Sequence, residues 1–193
     1  MSKTMMTRAI IVVAVLGTLV IITLGIFHPA QPGVTGSVTP GIPSTEHVPQ
    51  VGVEQGDAAP NFTVRALDGR RVSLSDYRGK LVMLNFWSIN CAGCQAEIPG
   101  MQTVYAEQQR AHKDFVILGV NLADNATDVA QFVHQRGLTY PIALDRTIAI
   151  ASLYALRGTP TSYFIDRHGI IHSRVEGPVD ETTLQHIISE LNV

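Results

Sequence analysis

Cys91-Ala92-Gly93-Cys94 contains both cysteines of this 193-residue chain, separated by two residues. They follow an apolar run, Leu81 to Trp87, that reads as a buried strand, and they open a segment with helical spacing. A thiol at the start of a helix faces free N–H groups and the positive end of the macrodipole, which favour its thiolate. That placement suits thiol–disulfide exchange. Bridging so short a loop constrains the unfolded chain little, so stability is a weak reason for the pair. A metal site is the other use of two close cysteines. Two thiolates fill only half of a tetrahedral zinc site, and the seven histidines show no matching spacing.

Redox chemistry depends on compartment, so the N-terminus matters next. Lys3 and Arg8 precede an uncharged stretch, Ala9 to Phe27, that is long enough to cross a bilayer as a helix of about 19 residues. The positive flank predicts a cytoplasmic N-terminus (1–8), a transmembrane anchor (9–27) and an exported remainder. A cleaved signal peptide is the competing reading. The run exceeds the usual apolar core of such peptides, and no small-x-small site follows at Phe27-His28-Pro29-Ala30. Residues 28–56, rich in Pro, Gly, Thr, Val and Ser, read as a flexible tether. Residues 57–193 then form one folded domain. A net charge of −2 without a basic cluster argues against a nucleic-acid partner.

The elements that must position the dithiol can be read along that domain. Phe62 to Leu67 and Arg71 to Leu74 flank Asp68-Gly69, a hairpin pattern. Phe115 to Asn121 is a second buried strand. Between it and Leu81–Trp87 lies a helix with Ile98, Met101 and Tyr105 on one face and Pro99 inside, where a bend is expected. Asp124 or Asn125 caps a helix carrying Val129, Phe132 and Val133 inward and stopped by Gly137. Tyr140 to Leu144 predicts a short strand, and Ile148 to Leu156 a helix ended by Gly158. Thr161 to Ile165 and Ile170 to Val175 form a hairpin across Asp166–Gly169. Asp180 caps a last helix with Leu184, Ile187, Ile188 and Leu191 on one face. Alternating strands and helices ending in an antiparallel hairpin give an α/β fold with a mixed central sheet.

Four motifs in this order resemble the thioredoxin superfamily, in particular its membrane-anchored, extracytoplasmic TlpA/ResA-like redoxin branch, which includes the cytochrome c maturation thioredoxins. They are Ala59-Pro60-Asn61-Phe62, the stretch Asn85 to Cys94, Gly158-Thr159-Pro160-Thr161, and the long gap between Cys94 and Pro160. The resemblance spans Asp57 to Val193. It implies a thioredoxin-like fold, a central mixed sheet flanked by helices, with an N-terminal hairpin and a central strand–helix insertion.

By the same resemblance, Cys91 is the attacking thiol and Cys94 the buried resolving thiol, a redox-active disulfide being the only cofactor implied. Pro160 is expected to be cis, placing the Thr159 backbone where a substrate chain can pair with it. Glu97 matches a glutamate that manages the cysteine protons in the cytochrome-maturation branch, against the plain reading of a solvated first-turn acid. Asn85 stands where ordinary thioredoxins keep a buried aspartate, so proton transfer at Cys94 falls to Glu97 or water. Trp87 matches an aromatic beside the active site, a substrate contact if exposed and a core residue if not. Ala92-Gly93 replaces the common x-Pro, which predicts a more flexible loop.

The function implied is a membrane-anchored thiol–disulfide oxidoreductase on the periplasmic side of a bacterial cytoplasmic membrane. It would reduce protein disulfides such as those of apocytochrome c and be recharged by a membrane electron donor. Two alternatives stay open. A peroxiredoxin-like peroxidase shares Ala59–Phe62 but needs a proline where Leu84 stands, and only Ser88 fits its threonine slot. A copper-binding assembly factor without turnover usually spaces its cysteines three apart and adds a distant histidine.

Overall fold

The computed structural model describes residues 49–192. The expected cytoplasmic N-terminus, the anchor at 9–27 and most of the tether lie outside them. No helix among the described residues is long and apolar enough to cross a membrane.

Five strands make the central sheet, in the order β5-β4-β3-β6-β7. They are β3 (Leu81–Trp87), β4 (Phe115–Leu122), β5 (Ile142–Asp145), β6 (Thr161–Ile165) and β7 (Ile171–Glu176). β3 runs parallel to β4 and antiparallel to β6, so the sheet is mixed as the pattern predicts. All seven residues of β3 are buried because helices or loops cover both of its faces. Its alternation sends Leu81, Met83 and Trp87 into one core, and Val82, Leu84 and Phe86 into the other. Asn85 falls on the first of these faces.

That face is covered by α1 (Ala92–Arg110), α2 (Ala126–Arg136) and α4 (Glu181–Leu191), whose Ile98, Met101, Val129, Phe132, Leu184 and Ile188 enter the same core. Helix α1 runs through Pro99 as one continuous helix. The caps are local and legible. Asn125 accepts from Thr127 N–H at 2.8 Å, Asp180 from Thr183 N–H at 2.7 Å, and Gly137 closes α2 at φ 63°.

The N-terminal hairpin, β1 (Thr63–Arg65) and β2 (Arg71–Ser73), forms a separate two-stranded sheet. It lies against the edge strand β5 through Leu67 N–H, which donates to Ile142 O at 2.8 Å.

Three expectations need correction. The folded domain begins before residue 57: Ala58 N–H donates to Gln50 O at 2.8 Å and Gly56 N–H to Ile171 O at 2.8 Å, so 50–56 pack on the domain instead of trailing as tether. Strand β5 starts after Pro141, which has no N–H to give a ladder, rather than at Tyr140. The helix expected over Ile148–Leu156 is only α3 (Ala149–Leu153). Ala155, at φ 47°, turns the chain out of the helix well before Gly158.

Candidate active site at the end of the central strand

β3 ends at Trp87, and a three-residue turn leads to Cys91 at the N-terminus of α1. Cys91 and Cys94 are joined in a disulfide with Cα atoms 5.2 Å apart. Cys91 caps the helix through sulfur: its Sγ accepts from Cys94 N–H at 3.1 Å. In the reduced protein the same donor and the helix N-terminus stabilise a Cys91 thiolate. Cys91 is half-buried and Cys94 has no exposed surface, so an incoming disulfide meets Cys91 first.

Ala92 and Gly93 do not form the loose loop expected from the missing proline. They are the first residues of the helix, and Gly93 is packed. A Cβ there would lie 3.1 Å from Pro160 Cδ and 3.2 Å from Pro178 Cγ. Pro160 therefore borders the dithiol, and its peptide bond to Thr159 is cis. Thr159 is half-buried and Pro160 buried. Gly177 N–H donates to Pro160 O at 2.9 Å, tying that loop to the residues after β7.

Glu97 lies one turn beyond Cys94 on the same side of α1. It is no solvated first-turn acid, being only 3 % exposed. Its Oε1 accepts from Asn85 Nδ2 at 2.8 Å and its Oε2 from Val179 N–H at 2.9 Å. Burial pushes its carboxyl up to about 7, against the restraining pull of those two donors. Asn85 Nδ2 also donates to Ser162 Oγ at 3.0 Å, across a register that sets Asn85 opposite Ser162. A carboxyl poised near neutrality one helical turn from the buried cysteine can take or return a proton at physiological pH.

Trp87 offers no face to a substrate. It is 1 % exposed, stacked at 5.4 Å against Phe132 and buried between β3 and α2. The expected substrate contact is therefore a core residue. Among the described residues, no three metal-ligating side chains converge.

Val179, Ser162 and Pro178 belong to the site but carry no motif of their own. Only the Gly177-Pro178 turn signal could have drawn attention to that loop. Of the two cap candidates, Asp124 and Asn125, it is Asn125 that caps α2. The Asp124 carboxylate instead accepts from Ile89 N–H at 2.8 Å, in the turn that carries Cys91.

Comparison with known proteins agrees with this geometry. Residues 55–174 match the AhpC/TSA family. The chain is 36% identical to thiol-disulfide oxidoreductase ResA of Geobacillus thermodenitrificans over 71% of its own length and 78% of that protein. It is 37% identical to ResA of Oceanobacillus iheyensis, covering 70% and 72%. A crystal structure from Chlorobium tepidum, assigned as thiol:disulfide interchange protein DsbE, superposes with a TM-score of 0.66 at 31% identity, covering 72% of this chain and 99% of that one. The chain belongs to the AhpC/TSA family, has a thioredoxin-like fold, and is a thiol–disulfide oxidoreductase.

Proposed function

We propose that this thiol–disulfide oxidoreductase of the AhpC/TSA family reduces protein disulfides at the outer face of a bacterial cytoplasmic membrane, those of apocytochrome c among them. The observation that carries the reading is the buried Glu97 carboxyl one turn from Cys94. When ionised it disfavours a Cys94 thiolate. A dithiol whose reduced form gains little from thiolate formation gives up its electrons more readily, which suits a reductant.

The steps balance with the dithiol, Glu97 and one proton from water. The Cys91 thiolate attacks one sulfur of the substrate disulfide. That S–S bond breaks, and the departing thiolate takes a proton from water. Cys94 passes its proton to Glu97 and attacks the Cys91 sulfur; the bond from Cys91 to the substrate breaks, and the second departing thiolate takes the proton from Glu97. The substrate gains two electrons and two protons, and the protein is left as the disulfide seen between Cys91 and Cys94.

Placement rests on the sequence. Lys3 and Arg8 before the apolar 9–27 stretch support an anchor with the domain outside, and the Pro/Gly-rich segment supplies reach. An exported reductant needs recharging, so a membrane donor of the thiol–disulfide type is part of the proposal.

Cys94→Ser in the full-length chain tests this directly. Mixed disulfides should accumulate between Cys91 and exported membrane-proximal proteins, apocytochrome c included; finding none in cells expressing cytochromes would overturn the substrate assignment. Equilibration with glutathione tests the direction. A potential of about −250 mV or below is expected, and one of about −120 mV would make the protein an oxidant.

A further inference from the structure

Both backbone polar groups of Ile89, two residues before Cys91, are held by side chains from other elements. Its N–H donates to Asp124 Oδ2 at 2.8 Å, and its carbonyl accepts from Gln95 Nε2 at 2.7 Å. Each of these side chains is itself held. Asn121 Nδ2 donates to the same Asp124 oxygen at 2.7 Å, and Asn121 is 1 % exposed near the end of β4, in register with Trp87. Gln95 Oε1 accepts from Arg136, the last residue of α2, at 3.4 Å.

The chain between β4 and α2 is shaped to make this contact. Ala123, just before Asp124, sits at φ 58°, a left-handed conformation that a Cβ disfavours. Its N–H donates to Asp145 O at 3.1 Å. Strain of this kind persists where the surroundings impose it. Here it redirects the chain at the end of β4 so that the next carboxylate reaches back 35 residues to the dithiol turn. Within the turn itself, the only backbone restraint is a 3.3 Å bond from Cys91 N–H to Ser88 O. The rest of the hold comes from outside.

We propose that Asp124 and Gln95 are positioning residues of the dithiol. By fixing Ile89 from both sides they hold the Ser88–Cys91 turn, and with it the Cys91 sulfur, where it can close on Cys94. The residues around α2 thereby act as a brace for the site. This rests on the exchange chemistry alone and holds whichever way electrons flow.

A loosened turn lowers the effective concentration of Cys91 against Cys94, so the disulfide becomes less favoured relative to the dithiol. Asp124→Ala should lower the equilibrium constant for oxidation by glutathione about tenfold, as expected for loss of one charge-assisted hydrogen bond. Asp124→Asn keeps an oxygen that can accept from Ile89 N–H, and should stay within about threefold of wild type. A merely structural role would lower the melting temperature without moving this constant. The proposal is overturned if Asp124→Ala leaves the constant within about twofold of wild type, or if Asp124→Asn shifts it as far as Asp124→Ala, since charge would then be the cause. Should Asp124→Ala fail to fold, Gln95→Ala removes the opposite hold and carries the test. The same direction of shift is expected, and an unchanged constant overturns the proposal.

Discussion

Asn85 donates from its side-chain amide to Oε1 of Glu97 at 2.8 Å, linking the middle of the central strand to the helix that begins with the dithiol. The amide cannot carry a proton. It acts instead on the acid that can. With Val179 N–H on the other oxygen, it steadies the ionised form of a carboxyl that burial drives the opposite way. The balance leaves Glu97 able to titrate in the pH range where thiol–disulfide exchange proceeds.

Replacing Glu97 with Gln removes that titration while keeping the shape. Disulfide reduction by wild type should show an inflection near pH 7, which Glu97→Gln should lack. Its rate at neutral pH should fall about a hundredfold, the scale of one general acid–base group. Stopped-flow rates from pH 5 to 9 check both.

Stability should carry the same signature. A Glu97 carboxyl titrating at about 7 when folded, against an ordinary 4.5, means that the native state binds the extra proton between those values. Its contribution is complete below pH 4.5 and is lost as pH rises through 7, an effect on the order of 3 kcal/mol. Glu97→Gln should therefore gain on wild type as pH rises from 5 to 8. Urea unfolding of the oxidised proteins at the two pH values measures it.

Asn85→Ala withdraws one of the two donors to Glu97 and leaves Ser162 without its partner. Less support for the carboxylate should raise the Glu97 titration point by about one unit above the wild-type value. Isotope-edited carbonyl spectra across pH 5 to 9 would resolve the shift, and the inflection in the rate profile should move with it.

Gly93→Ala tests the packing beside the dithiol. The new methyl would lie 3.1 Å from Pro160 Cδ and 3.2 Å from Pro178 Cγ, two rings with no side-chain rotation to relieve it. A loss of about 1–3 kcal/mol is expected, together with slower exchange at Cys91. Thermal melts and exchange rates on the same samples check the pair.

Much of this was legible from short stretches of chain. The β3 limits, the caps at Asn125 and Asp180, the turn at Asp166–Gly169 and the dithiol at a strand-to-helix junction follow from two-residue and 3.6-residue periodicities and from side chains that bond to nearby backbone. The helix around Ile148 stops short of Leu156 because its end depends on Ala155 taking a left-handed conformation that no local propensity announces.

The chemistry available is already written in the order of residues: two cysteines at the start of a helix after a buried strand, with an acid one turn on. Tertiary structure alone decided how that chemistry is tuned. Glu97 is shifted upward because the fold buries its carboxyl, and Val179 N–H, 82 residues away, and Asn85 Nδ2, 12 residues back, hold that shift in check. Trp87 became core because Phe132 covers it, and Asp124 became a brace because Ile89 lies within its reach. The physical reason is range. Helix and strand preferences act over a few residues, whereas desolvation and hydrogen bonding act on whatever the fold brings within about 3 Å, however far apart in the chain.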